Sequence, residues 1–322
     1  MNWVRKIFKI ETEPVKGLFA FEWVVVAYTL LTLLFIAFYN AELPRMQALV
    51  VGRGRIIAML VALWGVYRLA PCRATRLARV VGQMALLAWW YPDTYELNRI
   101  LPNFDHLFAR ADQIFFGYQP ALFFSQRMPQ HWFSELMDLG YASYFPMIVI
   151  IVLYYFFFRY KDFTRMAFIL LTSFFIFYVI FILLPVTGPQ YYYPAIGLDN
   201  IVRGAFPSVG DYFSQHAERI VSPGWKEGFF YRLVEGAHQA GERPTAAFPS
   251  SHVGIAVIIL LLARRGHPRR QWLFWVLLPF AVLLFFSTVY IQAHYAVDVF
   301  AGLVAGVLFY FVLLRLSNIA KP

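Results

Sequence analysis

Two segments of the chain place a histidine beside residues that can tune its chemistry, and the first contains His294 and Asp298. The two residues lie four apart in STVYIQAHYAVD (287–298), so a helix would put them on one face. A carboxylate beside an imidazole keeps one ring nitrogen as N–H and makes the other more basic, which is what a histidine nucleophile needs. The same carboxylate can instead stabilise a helix N-terminus through the helix dipole. The spacing alone leaves both interpretations open.

The second segment, AAFPSSH (246–252), leads directly into an apolar run. Pro249, Ser250 and Ser251 predict a turn whose hydroxyls and amides can hold phosphate oxygens, and His252 then begins a helix. The free backbone N–H groups and the positive dipole end at a helix N-terminus favour an anion. A lone histidine here would be interpreted as a polar anchor at the membrane surface. Together with the first segment and the two serines, it indicates phosphate chemistry.

The composition indicates which elements must position these residues. Of 322 residues, 60% are hydrophobic and 14% are charged, whereas soluble domains have about 25% charged residues. Apolar runs of roughly 15 to 20 residues recur, which is the length that crosses a bilayer as a helix. We therefore predict an all-α, polytopic integral membrane bundle of about eight transmembrane helices. Their expected positions are 23–39, 56–70, 77–91, 139–158, 166–184, 252–263, 272–286 and 297–314.

The chain is expected to divide at residue 138. Residues 1–138 would hold the N-terminal transmembrane helices and an interfacial outside loop, and residues 139–322 the membrane core. The outside loop, from about 92 to 138, mixes charged and aromatic residues and is typical of an amphipathic cap on the membrane surface. A second long outside loop, 185–248, is rich in proline and glycine turns. Long ordered loops are usually functional.

The positive charge of the chain is explained by membrane topology. The formal net charge is +10, and with a cytoplasmic N-terminus more than half of the 28 Lys and Arg residues fall in short inside segments. This is the positive-inside pattern, so the basic balance requires no nucleic acid partner. RRGHPRR (264–270) is then a cytoplasmic hairpin beside anionic headgroups. We expect both termini in the cytoplasm and no removable signal peptide, because no short apolar core with a cleavage site follows the N-terminus.

Three polar segments lie on the outer side in this topology. LPVTGPQYYYP (184–194) follows the fifth predicted helix, AAFPSSH enters the sixth, and STVYIQAHYAVD joins the seventh to the eighth. Each segment lies at a helix end. We therefore expect all three to meet at one surface of the membrane.

The two histidine segments resemble motifs of one enzyme superfamily. Pro249-Ser250-Ser251-His252 is similar to the Pro-Ser-Gly-His motif of the type-2 phosphatidic acid phosphatase superfamily. STVYIQAHYAVD looks like the third motif of that superfamily, Ser-Arg-x5-His-x3-Asp, with its spacing intact. The resemblance covers about 166–314, with the motifs in order and at the matching helix ends. It implies a six-helix phosphatase-type core.

This resemblance implies a role for each residue of the two segments. His294 would attack phosphorus and form a phosphohistidine, and Asp298 would orient it. His252 would protonate the leaving oxygen and then activate the acceptor, while Ser250 and the amide of Ser251 would bind phosphoryl oxygens. The resemblance implies no metal and no other cofactor. The single cysteine of the chain also excludes a multi-cysteine metal site.

The sequence departs from the superfamily at the positions of its cations. The first motif, Lys-x6-Arg-Pro, has no match, because Leu183 and Gln190 stand where Lys and Arg are expected, and Thr288 replaces the Arg of the third motif. A phosphoryl-transfer site needs fixed positive charge. Arg243 is the first candidate for that charge, and Gln190 remains in the expected phosphate-binding set. Further candidates, which are alternatively solvated loop charges, are Arg203 and Lys226.

Because it lacks these cations, the sequence resembles the inositol phosphorylceramide synthase branch, which keeps the two histidines and the aspartate. Such a transferase moves a phosphoinositol headgroup, a phosphodiester with one charge fewer than a phosphomonoester, and so needs fewer cations. We therefore predict a membrane lipid phosphotransferase that moves a phosphoinositol-like headgroup to a lipid hydroxyl, with ceramide or diacylglycerol as possible acceptors. One alternative is a lipid phosphate phosphatase that hydrolyses a phosphomonoester or diphosphate lipid. Another is a non-catalytic lipid transporter or scaffold.

The expected location is a bacterial inner membrane with the active site on the periplasmic face. A haem protein with two axial histidines is a further alternative, but it would leave the serine turn and Asp298 unexplained. The other histidines have no partner pattern in the sequence and receive no role: His106, His131, His216, His238 and His267.

Overall fold

The computed structural model describes residues 3–266 and 271–319, and this part of the chain folds into helices without β-strands. Residues 267–270, which include His267 and the second half of the predicted RRGHPRR hairpin, lie outside the described residues. The helices are α1 Trp3–Phe8, α2 Ala20–Phe38, α3 Met46–Leu69, α4 Arg73–Asn98, α5 Asp105–Phe116, α6 Pro120–Arg127, α7 His131–Ala142, α8 Tyr144–Phe158, α9 Phe163–Leu183, α10 Pro189–Ile196, α11 Leu198–Val202, α12 Phe229–Gly241, α13 Ser251–Gly266, α14 Trp272–Tyr290 and α15 Ala296–Ile319.

Five helical segments in the described residues are long and apolar enough to cross a membrane. They are α2, α3, α9 together with the short turn before it (Tyr160–Leu183), α14, and α15 from Ala296 to Ser317. A sixth span results if α7 and α8, which meet at a bend of 41°, cross as one. The protein is therefore an all-α, polytopic helical membrane protein, as the composition predicts.

All eight predicted apolar segments are helical, but the number of clear spans is five or six rather than eight. Helix α4 is long enough, but it carries charged residues near both ends. Helix α13 is apolar, and its described part has 16 residues, fewer than the roughly 20 that a bilayer requires. The apolar runs therefore locate the helices correctly, while polarity and length set these two apart from the others.

Two buried ion pairs join the N-terminal helices α2, α3 and α4. Arg53 donates to both carboxylate oxygens of Asp93, at 3.0 and 2.7 Å, and its Nε donates to Thr32 at 3.1 Å. Arg79 donates its Nε to Glu22 at 2.6 Å, and both side chains are fully buried. Charged side chains within a membrane bundle are costly unless they are paired. The polar residues of α4 thus serve its packing against α2 and α3.

Helix α13 lies at the centre of the C-terminal half and packs against α8, α9, α14 and α15. Glycines allow α13 and α15 to approach closely, since a Cβ on Gly302 would lie 2.5 Å from the carbonyl oxygen of Ser250, and one on Gly306 the same distance from that of Gly254. The Ser250 amide then donates to the backbone carbonyl of Asp298 at 3.1 Å. This packing brings the two histidine segments together.

The Arg53–Asp93 pair provides a test of the N-terminal packing. Replacing Arg53→Met leaves the Asp93 carboxylate buried without its partner, which costs about 3–5 kcal/mol for a buried pair. We expect a clearly lower melting temperature in detergent, measured by intrinsic fluorescence, and partial recovery in the Arg53→Met, Asp93→Leu double variant. The control is Arg45→Met, because Arg45 pairs with Glu96 at an exposed site and should change stability by less than about 1 kcal/mol. Equal melting temperatures for the Arg53 and Arg45 variants would contradict this role.

Candidate active site

The three polar segments predicted to meet do so, and they are joined by backbone hydrogen bonds. The Ala247 amide donates to the carbonyl of Val186 at 2.8 Å, which joins the serine turn to the segment after α9. The Gln190 amide donates to the carbonyl of Gln292 at 2.9 Å, which joins that same segment to the turn before α15. The site is thus built from loops that fix one another's positions.

His294 is buried, with 3% of its surface exposed. Its Nδ1 lies 2.7 Å from the carbonyl oxygen of Ala247 and 3.5 Å from Oδ2 of Asp298. A carbonyl oxygen only accepts hydrogen bonds, so Nδ1 carries the proton and Nε2 holds the free lone pair. The sequence suggests that the carboxylate fixes this tautomer. In the structure the shorter bond is to the Ala247 carbonyl, because His294 precedes α15 instead of lying on it.

Asp298 takes part in both of the arrangements that the sequence leaves open. It lies in the first turn of α15, where its Oδ2 accepts the backbone N–H of Tyr295 at 2.8 Å and so stabilises the helix start. The same oxygen faces Nδ1 of His294. Its other oxygen, Oδ1, is buried and has no hydrogen-bond partner among the described residues. The carboxylate is therefore placed to favour positive charge on the imidazole.

His252 lies beside His294, with ring centroids 5.8 Å apart and ring planes at 67°. The rings of Tyr141 and Tyr144 pack against it with centroid distances of 4.8 and 4.4 Å. These contacts fix the plane of the imidazole, while within the described residues no hydrogen bond occupies its nitrogens. His252 is thus held rigidly and keeps its nitrogens available for a ligand.

The two serines lie at the start of α13. Ser250 is fully buried, and its hydroxyl accepts the Val253 amide in a long bond of 3.4 Å. Ser251 is the first residue of the helix, so its amide is one of those that the helix leaves without an internal partner. The predicted anion site at this helix N-terminus therefore has donors available, although Ser250 also has a structural role in the turn.

Neither Gln190 nor the predicted substitutes for the missing cations form a hydrogen bond or ion pair with the histidines among the described residues. Gln190 is buried, donates its Nε2 to Glu242 at 3.3 Å, and leaves its Oε1 without a partner among the described residues. Arg243 is exposed and donates to the backbone carbonyl of Glu242 at 3.0 Å. The side chains of Arg203 and Lys226 are exposed. No Lys or Arg of the described residues forms a hydrogen bond or ion pair with either histidine.

Helix α5 supplies two buried carboxylates that belong to neither histidine motif, and the first is Asp105. Its Oδ1 accepts the Gly188 amide at 2.8 Å and the hydroxyl of Tyr295 at 2.9 Å. Its Oδ2 accepts the Thr187 amide at 2.7 Å. Asp105 therefore ties the segment after α9 to the residue that follows His294.

The second carboxylate, Asp112, holds the first turn of α15. Its Oδ2 accepts the Ala296 amide and its Oδ1 the Val297 amide, each at 2.9 Å. Burial raises the pKa of Asp112 to about 6, although these two amide bonds lower it. The paired bonds fix the backbone that leads from His294 to Asp298. Asp112 is thus a positioning residue for the site.

Three further groups of the site give no local signal in the sequence. The ring of His238 contacts the edge of Tyr141 at 5.5 Å, on a tyrosine that also contacts His252. Glu242 lies close enough to Tyr141, and Arg219 to His238, to act on their pKa values, and Arg219 pairs with Glu235. Burial first, and then Arg219, lowers the pKa of His238 to about 4. These residues come from distant parts of the chain, so no short motif links them.

Within residues 3–266 and 271–319, no group of three or more His, Cys, Asp or Glu side chains is placed to hold a metal ion. The site instead combines two imidazoles, a carboxylate and a helix N-terminus at the ends of membrane helices. Such an arrangement can bind an anion at the helix N-terminus and act on it through the histidines.

A model of the PAP2 superfamily matches residues 105–312, which is more than half of the chain, and the protein therefore belongs to that superfamily. Members of the superfamily are phosphatases or phosphotransferases, so the chain is a lipid enzyme of this general class that acts in a membrane. The matched region begins at Asp105, and it contains both carboxylates of α5 as well as both histidine segments. No curated protein and no solved structure matches the chain.

The role of Asp112 can be tested with Asp112→Asn. An amide has one acceptor oxygen and presents an NH₂ group to the second backbone donor, so the first turn of α15 should shift. A shift of about 1 Å at a reacting group can cost a hundredfold in rate. We expect kcat for a labelled phospholipid to fall at least tenfold with little change in KM. The control is Asp199→Asn on the exposed helix α11. A variant that keeps full kcat, or that loses activity only through KM, would contradict the positioning role.

Proposed function

We propose that the protein is a lipid phosphotransferase that moves a phosphorylated headgroup from one lipid to the hydroxyl of another through a covalent intermediate on His294. The observation that carries this proposal is the 2.7 Å bond from Nδ1 of His294 to the Ala247 carbonyl. That bond directs the reactive lone pair to Nε2. A nucleophile with its tautomer fixed in advance is the arrangement that covalent catalysis requires.

In the first step, Nε2 of His294 attacks phosphorus and an N–P bond forms. The P–O bond to the lipid alcohol breaks, and the leaving oxygen takes a proton from His252. Positive charge then resides on the phosphorylated imidazole. Asp298, at 3.5 Å from Nδ1, stabilises that charge.

In the second step, His252 takes the proton of the acceptor hydroxyl, and the acceptor oxygen attacks phosphorus. The N–P bond breaks, and His294 returns to its neutral form. Helix α13 supports both steps through the Ser251 amide and the positive end of its dipole, which stabilise the equatorial phosphoryl oxygens. The resemblance of the two histidine motifs supports these roles.

The charge balance of the site favours a phosphodiester over a phosphomonoester. Neither histidine has a Lys or Arg partner among the described residues, so the fixed positive charge near phosphorus is the N-terminus of α13. A diester carries one negative charge and a monoester carries up to two. A diester substrate that passes its headgroup to a lipid alcohol therefore suits this site, and phosphoinositol-like headgroups belong to that class.

Plain hydrolysis is the second candidate, because water can replace the lipid alcohol in the second step. The low exposure of His294, at 3%, favours transfer, since a buried intermediate is protected from water. The lipid acceptors that fit this proposal are ceramide and diacylglycerol.

The proposal predicts where a headgroup label goes. Purified protein in detergent receives phosphatidylinositol labelled in the headgroup, with or without ceramide. We expect a new labelled lipid only when ceramide is present, and its loss in His294→Gln by at least 10³-fold, of the order seen when a covalent nucleophile is removed. His131→Gln, at an exposed histidine, is the control. Water-soluble labelled product without acceptor would indicate a hydrolase, and full activity in His294→Gln would refute the mechanism.

The pH dependence provides a further test of the nucleophile. Burial lowers the pKa of His294 to about 4, although the Ala247 hydrogen bond raises it. Because this pKa lies below the ordinary value of about 6.5, Nε2 keeps its lone pair on acidification from pH 7 to pH 5.5. We expect the single-turnover rate of intermediate formation at saturating lipid to fall by no more than about fourfold over that range, because Asp112, whose pKa is about 6, becomes partly protonated. A tenfold fall, reversed on return to pH 7, would mean that the nucleophile titrates like a solvent-exposed histidine.

A further inference from the structure

A cluster of polar side chains lies next to the two catalytic histidines, and we call it the headgroup chamber. It consists of Tyr91, Tyr141, Gln190, His238 and Glu242, which come from α4, α7, α10, α12 and the segment after α12. Tyr141 connects it to the reaction site, because one face of its ring packs on His252 and its ring also contacts His238. The chamber is therefore one aromatic ring away from the proposed general acid.

Glu242 is the central acceptor of the chamber. Its Oε1 accepts the hydroxyl of Tyr91 at 3.1 Å and Nε2 of Gln190 at 3.3 Å. Both bonds end on the same oxygen, so Oε2 is left for another donor. The two partners fix the carboxylate in one orientation, as a ligand-binding group requires.

Two buried polar atoms of the chamber lack partners among the described residues. They are Oε1 of Gln190 and Nε2 of His238, on side chains that are 1% and 4% exposed. Buried polar atoms in folded proteins are nearly always hydrogen-bonded, and each exception requires an explanation. With Nδ1 of His238 facing the Ser222 hydroxyl at 3.5 Å, its Nε2 remains available to a ligand. These atoms therefore lack hydrogen bonds that an occupant of the chamber can supply.

The charges around the chamber limit the chemistry of that occupant. A headgroup with a second phosphate would place negative charge against Glu242. Burial raises the pKa of Glu242 to about 7, and Arg219 and Arg243 lie close enough to lower it. An ammonium headgroup bound at Glu242 would therefore lie near two cations. A neutral group with several hydroxyls avoids both conflicts, since each hydroxyl can donate to a carboxylate or amide oxygen and accept from its neighbours.

Resting on the proposed function, we propose that Glu242, Gln190 and His238 form a subsite for a neutral polyhydroxyl headgroup and that Glu242 determines headgroup specificity. The phosphodiester would lie at His294 and His252. The headgroup would extend past Tyr141, with one hydroxyl donating to Oε2 of Glu242 and another to Oε1 of Gln190. Glu242 then acts on the substrate without taking part in bond breaking.

The test compares two diester lipids with identical acyl chains in the purified full-length protein. One is phosphatidylinositol, and the other is phosphatidylmethanol, whose headgroup has no hydroxyl. A site built to bind hydroxyls discriminates strongly against a substrate that lacks them. We expect Glu242→Gln to lower the ratio of kcat/KM for phosphatidylinositol over phosphatidylmethanol by roughly tenfold or more, as the loss of a charged hydrogen bond implies. His238→Gln should lower the same ratio, and the exposed Glu227→Gln should not.

The outcomes separate the subsite from the reaction itself. An equal loss on both lipids in Glu242→Gln, or no loss on either, would overturn the subsite while leaving the transferase mechanism intact. A wild-type preference for phosphatidylcholine that Glu242→Gln removes would also overturn it, because the chamber would then bind a cation. Turnover that persists in His294→Gln would instead refute the proposed function, whatever the headgroup ratio shows.

Discussion

The hydrogen bond between Nδ1 of His294 and the carbonyl oxygen of Ala247 is the contact on which the site depends. It requires the Ala247 backbone to be fixed, and the bond from the Ala247 amide to Val186 fixes it. The three polar segments therefore form one hydrogen-bonded unit across the ends of α9, α13 and α15. The close contacts at Gly302 and Gly306 keep α13 and α15 packed together and so support that unit. A change in any of these contacts would alter the direction of Nε2, which is the atom proposed to react.

Charge is the second constraint on this site. The buried charges of the N-terminal helices are neutralised in pairs, Arg53 with Asp93 and Arg79 with Glu22. His294 and His252, in contrast, have no Lys or Arg partner among the described residues. Such an environment stabilises little negative charge on a substrate, and this is the reason for proposing a singly charged diester instead of a monoester. The missing arginines of the motifs and the carboxylate of the headgroup chamber both fit the proposed substrate, a singly charged diester with a neutral headgroup.

Much of the fold could be predicted from the sequence, because the length of an apolar run is a local property. The eight apolar runs are all helices, and the two short histidine motifs predicted the superfamily that the family match then shows. The number of membrane spans was less predictable. It depends on the length of α13 and on the charged residues of α4, whose partners lie on other helices. Tyr191, Tyr192 and Tyr193 illustrate the same limit: the run is typical of interfacial anchors, yet all three side chains are buried. Asp105, Asp112, Glu242 and His238 could not be predicted, because their partners lie far away in the sequence.

The covalent intermediate is the central claim, and it can be observed directly by mass spectrometry. The wild-type protein would be mixed with phosphatidylinositol in the absence of an acceptor, quenched at alkaline pH, where phosphohistidine survives, and digested. We expect the peptide containing His294 to gain the mass of the phosphorylated headgroup. That peptide should return to its original mass when ceramide is added before the quench. An unmodified His294 peptide during active turnover, or the same modification on another residue, would contradict the account.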